Sequence, residues 1–487
     1  LTLPWSRQRS LPRELTQLAV FGYVGAGPIC DQVDRLRPCI GDPLRDLSSD
    51  VWPVEQQDDH GCRFRRGSRT GHTSTLDSND SIKLCPKRAG SVTSVALRIA
   101  HLSFSPSGGA GSVASRLARI QRERGDDAFV VSATQGSLRD NPLALPRHTL
   151  AAAADEYAIK NRAFRAPISL LRDSLSTTTR ANLETADIIH LHWPHGLVNL
   201  EELAEIAGQR PVIWTLHDMA GFTGVCHYSL GCEGYTRGCT GCPAVRSPFR
   251  SLVANAATEK AEVVRKFADL RVVTPSTWLA QEAQRSGVFA GRAITVIANP
   301  LESEDAGHSE APNEFLDGVD QSKPVFLVAA AHLEDPLKGT SDAIEAFSRA
   351  FAGGEGAALL LAGRGSSGPH TRGISHLGFL NGRQMRSALQ LADYVIVASH
   401  AENQPLLIAE AQAQGVSLIG RDTTGIPEHL DIDPDGALFS SVTELEARLK
   451  TARKKSRSAR NQLAARATKK FSPARAADAY ARVYRGE

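Results

Sequence analysis

Beginning at residue 96, short runs rich in valine and isoleucine alternate with segments of helical periodicity. The first two runs, "ALRIAHLSF" and "AFVVSA", flank the helix-like segment "GSVASRLARIQRERG". Four further runs follow before residue 300: "DIIHLHW", "PVIWTLH", "RVVTPS" and "AITVIAN". Buried strands that alternate with helices are typical of a parallel sheet, because each crossover needs about a dozen residues or more. The sequence therefore predicts the α/β class, with doubly wound parallel sheets.

A polar stretch with three prolines, residues 299–324, separates this series from a second one. The second series contains "VFLVAA", "ALLLAG", "YVIVAS" and "VSLIG". Two Rossmann-like halves joined by a linker form a cleft between the carboxyl ends of their strands. We therefore predict four segments from residue 92 onward: an N-terminal domain over 92–300, a linker over 301–324, a C-terminal domain over 325–470 and a final helix over 471–487.

Residues 1–91 are rich in Arg, Asp, Ser, Gly and Pro and show little sustained periodicity, which favours disorder. Because no methionine precedes Met219, we expect the working protein to begin near Val92 and the earlier residues to be a start-site artefact. A folded extension that docks a partner is the alternative.

The composition narrows the classes of partner and compartment. The net charge of +3 is too small for nucleic acid to be the main partner. No stretch of the sequence approaches the ~20 apolar residues of a membrane span, and no secretory signal is visible. The cell interior is therefore the expected compartment.

The segment "SHAENQPLLIAEAQAQG", residues 399–415, follows a predicted buried strand. Pro405 suits the first turn of a helix, and Asn403 or Gln404 suits its cap. A helix that starts here presents unpaired N–H groups and a partial positive charge to the cleft, which suits a diphosphate.

Seven residues separate Glu402 from Glu410 within this segment, the first in the loop and the second on the helix. Glu410 could accept hydrogen bonds from vicinal ribose hydroxyls, although two solvated carboxylates would produce the same pattern. In the preceding strand-helix unit, Lys338 comes just before a helix that Thr340 or Ser341 would cap. A lysine there suits a leaving phosphate, and a solvated loop lysine is the alternative.

These motifs together resemble a GT-B glycosyltransferase of glycosyltransferase family 4, the retaining, nucleotide-sugar-dependent group, over residues from about 95 to 486. The matching segments are, in order, "SPSGGAG", "VIANPLE", "LKGTSDAIEAF", "LLLAGRG", "LGFLNGRQMRSALQLADYVIVAS", "AENQPLLIAEAQAQG" and "TGIPEHL". The resemblance implies that Glu410 binds the nucleotide ribose and that Glu402 lies near the donor sugar. It also implies that the backbone from Asn403 to Leu406 holds the diphosphate and that Lys338 neutralises it, without a catalytic metal.

The chain departs from the family pattern at two positions. His332 stands where the family often has an arginine that stabilises the diphosphate, and histidine is shorter and only partly protonated near neutral pH. Thr424 replaces the first glycine of a Gly-Gly pair. Near the first strand, the resemblance places the glycine loop around Gly109 close to the donor phosphates and the acceptor, with a plain strand-to-helix turn as the alternative.

Histidines end two of the predicted strands. His190 and His192 share one face of a strand and His195 follows it; we favour a polar lining of the cleft over a metal site for these three. His217 and Asp218 end another strand, where cleft chemistry concentrates in open sheets. The resemblance implies that His217 contacts the donor sugar and that Asp218 orients it or contacts the acceptor, with a structural histidine as the alternative.

Four cysteines follow in the pattern C-x5-C-x6-C-x2-C: Cys226, Cys232, Cys239 and Cys242. The stretch resembles a subgroup of these transferases associated with colanic-acid, capsular or extracellular polysaccharide synthesis. We expect the cluster to hold a loop on the acceptor side of the cleft without taking part in catalysis. A structural zinc site is favoured, and disulfides and free thiols are the alternatives.

We therefore expect a retaining, hexosyltransferase-type enzyme that moves a sugar from a UDP- or GDP-sugar to a glycan or lipid-linked acceptor in surface polysaccharide synthesis. A sugar-nucleotide epimerase and a non-enzymatic scaffold are the alternatives. The basic stretch "RLKTARKKSRSAR" is either a solvated helix face or a contact with anionic lipid, so the expected location is cytoplasmic or at the inner face of the plasma membrane.

Overall fold

Two parallel sheets organise the described part of the chain. The computed structural model describes residues 96–133, 157–170, 175–302, 319–365 and 372–487. All of them belong to one compact unit. The predicted N-terminal extension, residues 1–91, and most of the predicted linker lie outside the described residues.

The N-terminal sheet has six parallel strands in the order β2-β1-β3-β4-β5-β6. Its strands are β1 (Arg98–Ser103), β2 (Asp127–Val131), β3 (Ile188–Trp193), β4 (Val212–Thr215), β5 (Leu270–Thr274) and β6 (Ile294–Val296). The C-terminal sheet has the order β12-β11-β10-β7-β8-β9. Its strands are β7 (Val325–His332), β8 (Ala358–Arg364), β9 (Ile374–Gly378), β10 (Tyr394–Val397), β11 (Ser417–Arg421) and β12 (Ala437–Phe439).

Helices connect the strands as crossovers and cover the sheets. In the N-terminal half they are α1 (Gly108–Glu123), α2 (Thr177–Glu184), α3 (Leu200–Ala207), α4 (Arg250–Lys266) and α5 (Thr277–Arg285). In the C-terminal half they are α6 (Thr340–Ala350), α7 (Gly382–Leu391), α8 (Leu406–Ala413), α9 (Val442–Thr451), α10 (Arg457–Lys470) and α11 (Pro473–Arg485). Several begin at side-chain caps; Asn381 and Gln384 form a reciprocal capping box at α7.

The last helix, α11, returns to the N-terminal sheet. Tyr480 and Tyr484 are almost fully buried and pack in one hydrophobic cluster with Ile99 of β1 and Ile213 of β4. Large aromatic side chains bury much apolar area and keep a hydroxyl that needs a partner. The helix therefore belongs to the core of the first domain, although its sequence follows the second.

The predicted pair of doubly wound parallel sheets is confirmed. The apolar runs quoted above coincide with strands in both halves, because strands buried on both faces are continuously apolar. β9 and β12, at opposite edges of the second sheet, were not predicted; β9 contains polar and glycine residues, and β12 has three residues. Within the residues that the structure describes, no helix has the length and apolar character needed to span a bilayer.

Candidate active site

A cleft of about 490 Å³ lies between the two sheets, beside the carboxyl ends of their strands. Residues that follow β1, β4, β7 and β10 form its walls. In both sheets the strand order reverses next to β1 and β7, and ligands of open α/β sheets bind at such switch points.

Most of the residues predicted for the active site and donor site meet in this cleft. Of the ten, all within the described residues, eight line it: Gly109, His217, Lys338, Glu402, Asn403, Gln404, Pro405 and Leu406. His332 and Glu410 lie outside its wall. His332 ends β7, where it is half-buried and lies in register with Arg364 of β8.

Helix α8 begins at Leu406, with Pro405 as its N-cap residue and no side-chain cap. The prediction that Asn403 or Gln404 caps the helix is therefore wrong. Gln404 Oε1 instead accepts the backbone N–H of Asn299 at 2.6 Å, across the cleft. The first-turn amides of α8 consequently lack a side-chain acceptor and sit in the cleft wall, where they favour an anion.

Asn403 links the two domains instead of capping the helix. Its Nδ2 donates to the carbonyl of His217 at 3.0 Å, and its Oδ1 accepts from the Ser276 hydroxyl. A Cβ at Gly425 would lie 1.8 Å from the Asn403 carbonyl oxygen, so only glycine lets the two backbones approach this closely. The loop before α8 is thus held from both domains.

Lys338 and Glu402 form an ion pair at the bottom of the cleft. Lys338 Nζ lies 2.5 Å from Glu402 Oε1, and the exposed fractions of the two side chains are 34% and 15%. The neighbouring carboxylate raises the pKa of Lys338, against the effect of burial. Lys338 therefore carries its charge at physiological pH and lies, with Glu402, in the same cleft wall as the first turn of α8.

Local backbone geometry sets the position of both members of the pair. Gly339 is the N-cap residue of α6 at φ 63°, and a Cβ there would lie 2.2 Å from the Ala398 carbonyl oxygen. The predicted cap at Thr340 or Ser341 is wrong, since α6 begins at Thr340 without a side-chain cap. Thr424 has a φ of 53°, and its hydroxyl accepts the Glu402 N–H at 2.9 Å. Thr424 thus occupies a glycine-like conformation and anchors Glu402.

Glu410 lies in the second turn of α8, facing the N-terminal domain. Its Oε1 pairs with Arg116 of α1, which is buried and also pairs with Glu302 at 2.8 Å. Arg116 further donates to the Pro300 carbonyl at 3.0 Å. Sequence reasoning missed Arg116; a lone arginine among the apolar positions of α1 was the available signal.

His217 follows β4 and begins a chain of hydrogen-bonded rings that leads away from the cleft. His217 Nε2 lies 3.0 Å from His192 Nδ1, and His192 Nε2 lies 3.0 Å from His101 Nδ1. His101 Nε2 meets Gln121 Oε1 at 2.6 Å. Burial lowers the pKa of His101 and of His217 to about 4, so these rings are neutral near pH 7.

The histidines of β3 do not line the cleft. His190 and His192 share one face of the strand as predicted, but both are buried, and His195 is 2% exposed. Their predicted role as cleft lining is therefore wrong. β3 is a central strand, between β1 and β4. Helix α11 covers the face on which His190 lies, and the Tyr484 hydroxyl lies 2.8 Å from His190 Nδ1.

Asp218 lines the cleft next to His217 and pairs with His227 Nδ1 at 2.6 Å. It also accepts the Ala220 N–H at 2.9 Å. Although burial alone would raise it, His227 and these hydrogen bonds lower the pKa of Asp218 to about 2. The carboxylate is therefore ionised and fixed, so it can accept a hydrogen bond from a bound hydroxyl.

Two groups in the described part of the chain bring three metal-binding side chains within 4.8 Å: His101, His190 and His192, and His195, Asp218 and His227. In the first group every ring nitrogen already has a hydrogen-bond partner. In the second, both nitrogens of His227 are engaged, one by Asp218 and one by Ser169. A metal ion would have to displace these bonds.

Tyr228 is a further cleft residue that sequence reasoning missed. It lines the cleft and stacks on Trp278 of α5 with ring centroids 6.5 Å apart. The backbone amides of Thr277 and Trp278 in turn donate to Glu428 of the C-terminal domain. The signal was its position in "CHY", two residues after the first cysteine of the cluster.

Comparison with protein families decides the identity of this two-sheet structure. Residues 107–305 match the family model described as Glycosyltransferase Family 4, and residues 323–453 match the one described as Glycosyl transferases group 1. The first match spans the glycine loop through β6, and the second spans the strand-helix units that carry Lys338 and Glu402. The chain is a GT-B glycosyltransferase. The family resemblance seen in the motifs is thus confirmed at this level.

The glycosyltransferase is similar to two further proteins, one in sequence and one in structure. It is 27% identical over 305 residues to the putative colanic acid biosynthesis glycosyl transferase WcaC of Escherichia coli, a match that covers 58% of this chain and 71% of WcaC. It superposes on HepE of Anabaena, crystallised with UDP and glucose and also with UDP, with a TM-score of 0.50. That superposition has 17% identity and covers 80% of this chain and 100% of HepE, so it supports the fold.

Proposed function

We propose that this glycosyltransferase moves a sugar, with retention of configuration, from a nucleoside diphosphate sugar to a glycan or lipid-linked acceptor in surface polysaccharide synthesis. The observation that carries the proposal is the Lys338–Glu402 pair beside the uncapped start of α8 in the cleft. The WcaC match supports the polysaccharide context, and the UDP and glucose bound to HepE support a UDP-sugar donor. The retaining outcome comes from the family resemblance.

In the proposed reaction, the bond between the anomeric carbon and the diphosphate oxygen breaks, and the diphosphate leaves with the electron pair. The Lys338 ammonium and the first amides of α8 stabilise the charge that develops on it. One preorganised donor of this kind contributes about 3–4 kcal/mol. The acceptor hydroxyl attacks the same face of the sugar, and its proton passes to the departing diphosphate oxygen.

Neutral His217 contacts the donor sugar in this proposal. Since its Nε2 is bonded to His192, its other ring nitrogen, Nδ1, is the atom available to the sugar. Because the ring chain ends on the acceptor Gln121 Oε1, His217 donates through Nε2, and its Nδ1 accepts from a sugar hydroxyl without adding charge near the anomeric carbon. Asp218, ionised and held by His227, faces the same space and accepts a hydroxyl of the acceptor or donor.

Glu410 binds the nucleotide ribose in this proposal, as the family resemblance implies. Arg116 takes Oε1, so the second oxygen, Oε2, accepts a ribose hydroxyl. This contact requires the ribose to reach past the cleft wall toward α1. Arg116 then holds the carboxylate in place.

We place the enzyme in the cytoplasm, where nucleotide sugars are made. In this proposal the basic stretch contacts the inner face of the membrane, although several of its cations also have partners within the protein. Lys454 Nζ lies 3.1 Å from Asp393, and Lys455 Nζ lies 2.8 Å from Asp435. Flotation with phosphatidylglycerol vesicles, compared with phosphatidylcholine vesicles, tests that contact.

Titration calorimetry with UDP-glucose, UDP-galactose, GDP-mannose and GDP-fucose tests donor binding first. We expect one of these UDP- or GDP-sugars to bind the wild type and to bind Lys338→Met more weakly. Release of nucleoside diphosphate that depends on a glycan or lipid-linked acceptor then supports transfer, and NMR of the product's anomeric proton reports retention. Conversion of the donor without an acceptor would instead indicate an epimerase, and no binding at all would indicate a scaffold.

A further inference from the structure

The four cysteines of the sequence pattern converge on a single small cavity apart from the donor cleft. Cys226, Cys232, Cys239 and Cys242 all line this cavity, which has a volume of about 10 Å³. They are the cysteines of the described residues, and all four are free thiols. The cavity is closed by Phe164 and Tyr235 and is almost entirely apolar apart from sulfur. Space for about one water-sized sphere surrounded by thiols suits a soft metal ion better than water.

The backbone of the cysteine loop, residues 226–242, is shaped to point its sulfurs inward. Leu230 and Cys239 adopt positive φ angles of 48° and 58°, which residues other than glycine rarely adopt. A short 3₁₀ helix, Gly234–Arg237, separates the second cysteine from the last two. Such conformations persist when surrounding contacts enforce them. Three of the cysteines, Cys226, Cys239 and Cys242, pack in the large apolar cluster of the N-terminal domain.

Backbone amides already donate to two of the sulfurs. The Gly224 N–H lies 3.1 Å from Cys239 Sγ, and the Gly234 N–H lies 3.3 Å from Cys232 Sγ. These two contacts hold the Cys232 and Cys239 sulfurs in the cavity wall. Gly224 is also packed so that a Cβ would lie 2.5 Å from Val253 and 3.3 Å from Cys239, so its amide is held at this site.

We propose that Cys226, Cys232, Cys239 and Cys242 bind one zinc ion with a structural role. Each thiol loses its proton on binding, and the four thiolates complete a closed tetrahedral site with Zn–S distances of about 2.3 Å. The sulfurs of such a site lie about 3.8 Å apart. In the described residues no three of these sulfurs lie within 4.8 Å of one another, so the ion draws the loop inward around the cavity.

The site would set the position of residues that face the cleft. His227 and Tyr228 follow Cys226 directly; the first pairs with Asp218 and the second lines the cleft. The Thr223 hydroxyl donates to the Cys226 carbonyl at 2.6 Å, which ties the start of the loop to the segment after Asp218. The zinc ion thus fixes the acceptor side of the cleft without contacting a substrate.

Metal analysis of the full chain, purified without chelator, tests the proposal without any substrate. We expect about one zinc per chain in the wild type and less than a quarter of that in Cys239→Ser and Cys242→Ser. Cys85→Ser, outside the loop, serves as the matched control and should keep the wild-type content. Reconstitution of the wild type with cobalt should give the near-ultraviolet thiolate charge-transfer bands and visible bands of a tetrahedral site.

Two results would overturn the zinc site even if the serine variants fail to fold. One is a wild type with less than about a tenth of a zinc per chain whose four loop thiols are all alkylated rapidly in the native state. The other is a non-reducing peptide map that shows disulfides among the four cysteines. Both measurements use the wild type alone, and neither depends on the donor or on transferase activity.

Discussion

Lys338 Nζ and Glu402 Oε1 lie 2.5 Å apart, although the two residues come from different strand-helix connections of the C-terminal domain. The pair joins the cation proposed to meet the diphosphate to the carboxylate proposed to lie near the sugar. A movement of either connection therefore displaces both groups, which makes the pair a sensitive place to test the proposed chemistry.

Replacing Lys338 with methionine should lower kcat by about 100-fold or more, since it removes one preorganised charge from the leaving diphosphate. Steady-state kinetics with the donor found by calorimetry provide the measurement. Lys450→Met is the matched control, because Lys450 is exposed on α9 and pairs with Glu446. Equal kcat values for the two variants would remove Lys338 from the proposed mechanism.

Glu410→Ala should raise the donor Kd roughly tenfold, because the ribose loses a charged acceptor, which corresponds to about 1.4 kcal/mol. Arg116→Met should instead lower the free energy of unfolding, since Glu302 and Glu410 lose their shared cation. Calorimetry and urea denaturation of both variants separate the effects. If Glu410→Ala destabilises the fold but leaves donor affinity unchanged, Glu410 does not bind the ribose and serves to join the domains through Arg116.

Acidification should destabilise the N-terminal domain between about pH 6.5 and pH 4. His101 and His217 have a folded pKa of about 4, below the ordinary value of 6.5, and burial lowers the pKa of His190 and His192 as well. The unfolded chain therefore takes up protons in this window that the folded chain does not. As a result, the free energy of unfolding decreases as the pH is lowered.

The expected slope is about 1.4 kcal/mol per pH unit for each histidine that stays neutral in the folded state. Urea denaturation curves at several pH values measure it, and a His101→Gln variant should show a shallower slope. A wild-type stability that stays level from pH 7 to pH 5 would contradict the neutral histidine chain.

Tyr484→Phe should destabilise the protein by about 2–4 kcal/mol, because the hydroxyl serves two buried groups, Gln121 Nε2 and His190 Nδ1. Tyr480→Phe is the matched comparison and should cost about 1 kcal/mol. Among the described residues its hydroxyl meets only Thr215, which keeps His190 Nε2 as a second partner. Thermal or urea unfolding ranks the two variants, and the reverse order would contradict this account of α11.

Patterns local in sequence predicted the architecture and most of the cleft. The strands are continuous apolar runs, and loops at their carboxyl ends must lie at one edge of a parallel sheet. That topology alone brings Gly109, His217 and Lys338 to the same cleft. These three residues therefore converge without any knowledge of side-chain contacts, whereas the histidines of β3 do not.

Features that depend on register and on distant segments could not be predicted. His101 faces His190 because β1 and β3 pair with that register, and Tyr484 reaches His190 from 294 positions away. The cap of α8 was wrong for a related reason: Asn403 is recruited by the other domain, at Ser276 and His217. Competition between local and tertiary partners for one side chain is not visible in sequence.

The return of α11 to the first domain means that the chain passes between the domains twice. The two passages touch, since the Leu301 N–H donates to the Phe471 carbonyl at 2.9 Å and both side chains share a cluster with Ala409 of α8. Paired, adjacent connections allow rotation about the line through them and resist twisting about other axes. A hinge motion of the two domains would then have its axis near Leu301 and Phe471, beside helix α8.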